Sequence, residues 1–329
     1  MTMHAVVGTG YWGSNHVRVA AELAEEGVIE EFVLCDLPDS GVAEMAEDYG
    51  IEYVNDFQAL ADLGVDTATI ATPSTTHHEI ATDLLAAGVD CLVEKPIALT
   101  SEDAWDIVDT SDEYGRTLAV GHIFRHHPAL RDLKRRIDRG EFGKIKYIVT
   151  NRLTFRAPRT TTGVLYSLAV HDVDIYNMLL DDTPDHLYCR LDSFLRDGID
   201  ESATIVTGYG DTTGVINESW QLPMFGKRRD LGIVGTRRAA YIDYLEDTEL
   251  EIYDAKVVKE QGVMQAVEEG STTVEVEGYE PLKQEVEDFV AASESGEEPV
   301  ASGRIGAETV ELLEIAKESA DAGDTMDLS

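Results

Sequence analysis

The chain has 329 residues, with 64 Asp and Glu against 26 Lys and Arg, a net charge of −38, and 43% hydrophobic residues. That apolar content supports folded cores rather than disorder, and the length suggests about two domains. A surface this negative repels phosphate backbones and anionic lipid heads, which excludes nucleic acid and membrane surfaces as partners.

Only 9 of the 26 basic residues are Lys, and the acids are scattered through every segment rather than gathered in a tail. This whole-surface acidity suits a halophilic protein working in concentrated salt, where charges are screened within a few Å; an ordinary acidic enzyme is the alternative. Cys35, Cys91 and Cys189 are odd in number and embedded in apolar runs. They read as buried thiols in a reducing compartment. The first 17 residues lack acids, Lys and Arg, but Gly, Asn, His and Trp interrupt the run, so no secretory leader is expected. No stretch is apolar enough to span a membrane, and a cytoplasmic protein is expected.

Up to about residue 123, short β-branched runs alternate with helical stretches. Strands are predicted at His4–Val7, Glu31–Asp36, Glu52–Val54, Thr67–Thr72, Asp90–Glu94 and Thr117–Ile123, with amphipathic helices such as Glu79–Ala87 and Asp103–Tyr114 between them. Repeated β-α units imply a doubly wound parallel sheet. After the basic helix Leu130–Arg139 come longer strands, at Ile145–Thr154, Leu187–Phe194, Ala203–Tyr209, Gly214–Leu222, Arg229–Val234 and Tyr241–Tyr253. Several alternate polar and apolar residues, as in an antiparallel sheet with one face covered. Helices are predicted at Leu168–Leu180, Pro281–Ser295 and Ala307–Ala322. The expected fold class is α/β: a Rossmann domain over 1–123, then an α/β domain with a large, mostly antiparallel sheet over 124–329.

The first strand runs into Gly8-Thr9-Gly10-Tyr11-Trp12-Gly13, a helix follows, and Asp36 closes the second strand. A GxGxxG alone is a weak signal; between a strand and a helix, with an acid 23 residues on, it fits a dinucleotide site. Gly8 permits the turn, Gly10 admits the pyrophosphate, and Gly13 lets helix and strand approach. Tyr11 and Trp12 lie in the same loop. Asp36 accepts from ribose hydroxyls and repels a 2′-phosphate, so NAD is expected in preference to NADP. Thr72 and Pro73, on the carboxyl edge after the fourth strand, are expected to line the cofactor. His77 and His78 read as a helix start; no third ligand stands at metal spacing, so no metal is expected.

Glu94-Lys95-Pro96 ends the fifth strand. Both Glu94 and Lys95 are expected beside the cofactor, and Lys95 can hydrogen-bond a substrate hydroxyl. A surface Lys paired with Glu94 is the plainer alternative. A cis bond before Pro96 is conceivable there.

The glycine loop, Glu94-Lys95-Pro96 and His171-Asp172-Val173-Asp174 together resemble the Gfo/Idh/MocA oxidoreductase family over nearly the whole chain. The resemblance implies oxidation or reduction of hydroxyls of sugars, inositols and related molecules with NAD or NADP. It matches Lys95 to the family's active-site lysine and His171 to the histidine of the second domain's first helix. Where the family frequently has Asp, this chain has Ser167, which leaves His171 as the general-base candidate. Asp174, one turn on, shares a helix face with His171 and can orient it. Read without the family, His171 is more simply a half-buried helix histidine hydrogen-bonded to Asp174 or Asp172.

Arg125, His126 and His127 lie at the expected seam, with Arg152, Arg156 and Arg159 beyond. In so acidic a chain this local reversal of sign suggests an anionic substrate, with Arg125, Arg152 and Arg156 binding it alongside Lys95, His171 and Asp174; pairing with surface acids is the alternative. The same stretches are similar to members acting on the 3-hydroxyl of UDP-N-acetylhexosamines or their uronic acids. Free sugars, inositols and a non-catalytic sugar-sensing role stay open. A broad sheet with one uncovered face, and the resemblance itself, imply a homodimer or homotetramer.

Overall fold

The computed structural model describes residues 2–159, 162–223, 226–246 and 248–328. They fall into two units, Met1–Ile123 with Glu280–Glu311, and Phe124–Tyr279 with Leu312–Ser329. The segment Glu280–Glu311 thus packs in the first unit, which differs from the expectation of a second domain running unbroken over 124–329.

The first unit holds strands β1 (Met3–Val7), β2 (Glu31–Cys35), β3 (Tyr53–Val54), β4 (Thr67–Ile70), β5 (Asp90–Val93) and β6 (Leu118–Val120). Between them run helices α1 (Gly13–Glu26), α2 (Val42–Tyr49), α3 (Ala59–Asp62), α4 (His77–Ala86) and α5 (Ser101–Tyr114). All strand pairs are parallel, in the order β3-β2-β1-β4-β5-β6. β1, β4 and β5 are buried at nearly every position because helices cover both faces of the sheet. The order reverses direction between β1 and β4, where open α/β sheets bind ligands beyond the carboxyl ends of the strands. Asp36, Thr72 and Glu94 lie just past the ends of β2, β4 and β5, on that edge.

In the second unit, helices α6 (Pro128–Asp138) and α7 (Val170–Leu180) precede and interrupt a sheet of strands β7 (Ile145–Leu153), β8 (His186–Asp192), β9 (Ser202–Tyr209), β10 (Thr212–Ser219), β11 (Arg228–Gly235), β12 (Ala239–Asp243), β13 (Glu249–Glu260) and β14 (Val263–Glu275). Two further helices follow, α8 (Pro281–Ser295) in the first unit and α9 (Gly303–Ala322), before the short strand β15 (Met326–Asp327). The strand order is β14-β13-β12-β11-β7-β10-β9-β8-β15, antiparallel except for β7 with β10. Leu130 and Leu133 of α6, Val173 and Tyr176 of α7, and Leu313 of α9 cover one face, against Ile148, Ile205, Ile216 and Ile233. On the opposite parity, Tyr147 is exposed and Val149 and Val215 are only half-buried.

The single strand expected over Tyr241–Tyr253 is two strands. Asp243 stops the first by taking the Leu245 N–H on its side chain (2.9 Å) and the Glu246 N–H on its carbonyl (3.0 Å), the turn chemistry for which Asp is suited. Past Tyr253, β13 pairs with β14 alone. The helix expected from Leu168 begins instead as a π-helical turn, Leu165–Ala169, that leads into α7. Asp200 holds the start of this turn, its carboxylate accepting from Leu165 N at 2.8 Å. Cys35, Cys91 and Cys189 are all buried free thiols. Among the described residues no helix is long and apolar enough to cross a membrane.

Candidate active site

In the first unit, three glycines build one cradle in three different settings. Gly8 has φ +91°, and a Cβ there would stand 2.7 Å from the Thr72 nitrogen. A Cβ on Gly13 would fall 1.9 Å from the Gly8 carbonyl oxygen, so the start of α1 packs on the loop only without a side chain. Gly10 faces open space, with nothing within 4 Å of its Cβ position. Packing alone therefore does not require a glycine there. No side chain caps α1 and its first turn has no acid, so its N–H groups and positive dipole end suit an anion. These residues fit a dinucleotide pyrophosphate.

Asp36 is held ready at the end of β2. Its Oδ2 accepts from Thr9 N (2.6 Å) and Thr9 Oγ1 (2.8 Å), and its Oδ1 from Leu37 N (2.7 Å). Thr72 is half-buried and Pro73 exposed. Tyr11 is 93% exposed, an uncommon state for so large an apolar ring.

The Lys95–Pro96 peptide is cis, and Lys95 itself is half-buried. Glu94, expected beside the cofactor, turns inward. Its Oε1 accepts from the Trp12 indole N–H and lies 2.8 Å from His16 Nε2, while its Oε2 accepts from Lys95 N at 3.1 Å. Burial raises the Glu94 pKa, but the His16 hydrogen bond, the charges of His16 and Lys95 and the Trp12 bond outweigh it, so the carboxyl stays below its ordinary range. His16 and Gly121 were not singled out from sequence. The i, i+4 spacing of Trp12 and His16, which sets both on one helix face, was the available signal. Gly121 gives room for the carboxylate, since a Cβ there would lie 2.9 Å from the Glu94 carboxyl carbon.

His77 starts α4, with its ring nitrogens 2.9 Å from the carbonyl oxygens of Pro96 and Thr72. It ties the two loops of the carboxyl edge together. Among the described residues no group of His, Cys, Asp or Glu is arranged to hold a metal.

In the second unit, His171 is the second residue of α7 and is half-buried. Its ring meets Phe124 edge-on, centroids 5.0 Å apart. Asp174, the expected orienting acid, is 1% exposed and accepts from Arg125 at 2.7 Å. Ser167 is buried in the π-helical turn, its hydroxyl 3.0 Å from Thr162 Oγ1.

Arg152 departs most from expectation. It is 2% exposed, donates through Nε to Asp172 (2.8 Å), and lies 4.3 Å from the Phe124 ring centre and 4.8 Å from that of Tyr244. Its place among the substrate-binding residues is therefore corrected: strand parity puts Ile148, Thr150 and Arg152 on the covered face of β7. Glu218 sits beside it in register on β10. Burial and then the neighbouring Asp172 push the Glu218 carboxyl well up.

Arg125 is neutralised by Asp174. His126 is buried, its pKa pushed down to about 4 by burial and then by Arg131 and Arg125. Arg156 is exposed, over the Trp220 ring at 5.8 Å.

Comparison with known proteins bears on this arrangement. A profile of an oxidoreductase family with an NAD-binding Rossmann fold matches residues 3–122, and one of the GFO/IDH/MocA C-terminal domain matches residues 130–241. UDP-N-acetylglucosamine 3-dehydrogenase of Acidithiobacillus ferrooxidans is 29% identical over 87% of each chain. Its solved structure superposes with a TM-score of 0.83 at 25% identity, covering 97% of this chain and 98% of that one. An NAD(+)-dependent scyllo-inositol 2-dehydrogenase of Bacillus subtilis is 28% identical over 77% of each chain. A levoglucosan dehydrogenase in complex with NADH and levoglucosan superposes at TM-score 0.86 with 19% identity over 99% of each chain, a likeness of fold alone.

Proposed function

The chain belongs to the Gfo/Idh/MocA family of oxidoreductases and carries that family's NAD-binding Rossmann fold, and on this premise we propose that it oxidises the 3-hydroxyl of a UDP-N-acetylhexosamine or its uronic acid. The observation that carries this reading is the likeness to UDP-N-acetylglucosamine 3-dehydrogenase along 87% of both chains. A second reading, a free sugar or inositol, is favoured by one feature of the site. Arg125 and Arg152 are neutralised by Asp174 and Asp172, which leaves Arg156 as the exposed cation of that set for a diphosphate.

NAD⁺, when bound, supplies the acceptor for the hydride leaving the alcohol carbon. Gly8, Gly10 and Gly13, with the N-terminus of α1, hold its phosphates, and Asp36 its ribose. Tyr11, Trp12, Thr72 and Pro73 flank it. We assign Lys95 to holding the substrate oxygen through its ammonium and His171 to taking the hydroxyl proton. Ser167 has no part in this: its hydroxyl is neutral, buried and engaged with Thr162. A homodimer or homotetramer is the expected assembly, because Tyr147 is exposed and Val149 and Val215 are half-buried on the face of the second sheet opposite the helices.

A panel of UDP-sugars, free sugars and inositols, followed by NADH absorbance in molar KCl, tests the substrate class. Activity on inositols alone would replace the first reading by the second. Lys95→Ala and His171→Ala should each lower kcat by roughly 10²–10⁴ with NAD⁺ affinity little changed. Ser167→Ala should cost far less; near-normal turnover in His171→Ala would remove it as the base.

A further inference from the structure

The three donors on Glu94 come from three separate places in the first unit. Trp12 belongs to the glycine loop, His16 to the second turn of α1, and the Lys95 N–H to the exit of β5. Glu94 is 7% exposed, so both of its oxygens are fixed by the chain itself, and Gly121 closes the space behind them. An ionised carboxylate in such a setting makes strong, directional bonds. The groups facing it are His16 from α1, Lys95 on its own strand and His77 from α4.

We propose that Glu94 is a positioning residue that locks the Lys95 peptide to the glycine loop through the Trp12 indole, so that order in the phosphate cradle sets where the lysine stands. Trp12 then has a second duty besides flanking the dinucleotide. A loop loosened at Trp12 leaves Glu94 Oε1 held by His16 alone, and the acceptor of the Lys95 N–H is fixed less firmly. The inference takes from the proposed function only the importance of Lys95. The bond from loop to lysine can be read without any substrate.

The test uses Trp12→Phe, which keeps an aromatic ring and deletes one N–H, together with Glu94→Ala and the double variant, all in the full-length chain. Amide hydrogen exchange at Lys95 is measured first, on protein without cofactor. Exchange should quicken about tenfold in each single variant, and the double variant should be no faster than Glu94→Ala. On an accepted substrate, kcat at saturating NAD⁺ should fall about tenfold in Trp12→Phe, with the substrate KM little changed. Unchanged Lys95 exchange in Trp12→Phe overturns the proposal, as does additivity in the double variant. Should Glu94→Ala fail to fold, Trp12→Phe still decides it. A chain that quickens as expected but oxidises no sugar would refute the proposed function and leave this inference standing.

Discussion

Asp36 shows how one carboxylate can be placed for a ligand by its own chain. Thr9 and Leu37 donate to both of its oxygens, so its charge is fixed beside the glycine loop rather than left to rotate. A 2′-phosphate arriving there meets that charge, while a ribose 2′-hydroxyl meets an acceptor. Titration should therefore give tighter binding of NAD⁺ than of NADP⁺, and Asp36→Ala should narrow the gap; equal or tighter binding of NADP⁺ to the parent chain would refute the role. The positions of the three glycines and Asp36 were legible in the sequence because backbone geometry restricts which residues can serve. Glu94 was legible as a position but not as a role, since only folding shows that its oxygens are taken by Trp12, His16 and Lys95. His16 and Trp12 stand 78 and 82 residues away from it, beyond the reach of any local pattern.

At the level of strands and helices, a row of ionisable groups crosses the covered face of the second sheet. Arg229 on β11, Arg152 on β7 and Glu218 on β10 are register neighbours, and Asp172 reaches Arg152 from α7. Removing Arg152 strands Asp172 in the core without its counter-charge, so Arg152→Ala should cost about 3–5 kcal/mol in denaturant unfolding. The exposed Arg156→Ala should stay within about 0.5 kcal/mol. If Arg152→Ala keeps full stability and loses only substrate affinity, Arg152 is a ligand-binding residue after all. Here the sequence was more informative than the charge argument drawn from it: the parity of Ile148, Thr150 and Arg152 already pointed the arginine inward. β14 is different. Nearly every residue in it is exposed, so it has no buried face to imprint an alternating pattern. The return of Glu280–Glu311 to the first unit was equally hidden, because α8 has the amphipathic pattern of any covering helix and nothing local in it names its partner.

For the molecule as a whole, the net charge of −38 sets the terms. Self-repulsion among so many carboxylates opposes the folded state and weakens as the screening length falls to about 3 Å in molar salt. If relief amounts to a few kcal/mol, at roughly 2–4 °C for each, Tm should rise by about 5–10 °C between dilute and molar KCl, as read by scanning calorimetry. A chain most stable in dilute buffer would be acidic without being salt-adapted. The acid count was plain in the sequence, and folding adds that many of the few basic residues pair with these acids, as Arg18 does with Glu22 and Glu280. The buried thiols have a practical consequence for following such behaviour. Burial pushes Cys35 and Cys189 up to about 12, and Cys91 higher still, so almost no thiolate exists near neutral pH and no sulfur is presented to solvent. The native chain is thus a silent background for maleimide chemistry. One cysteine introduced at an exposed position would take a fluorophore or spin label selectively, with all three native cysteines left in place.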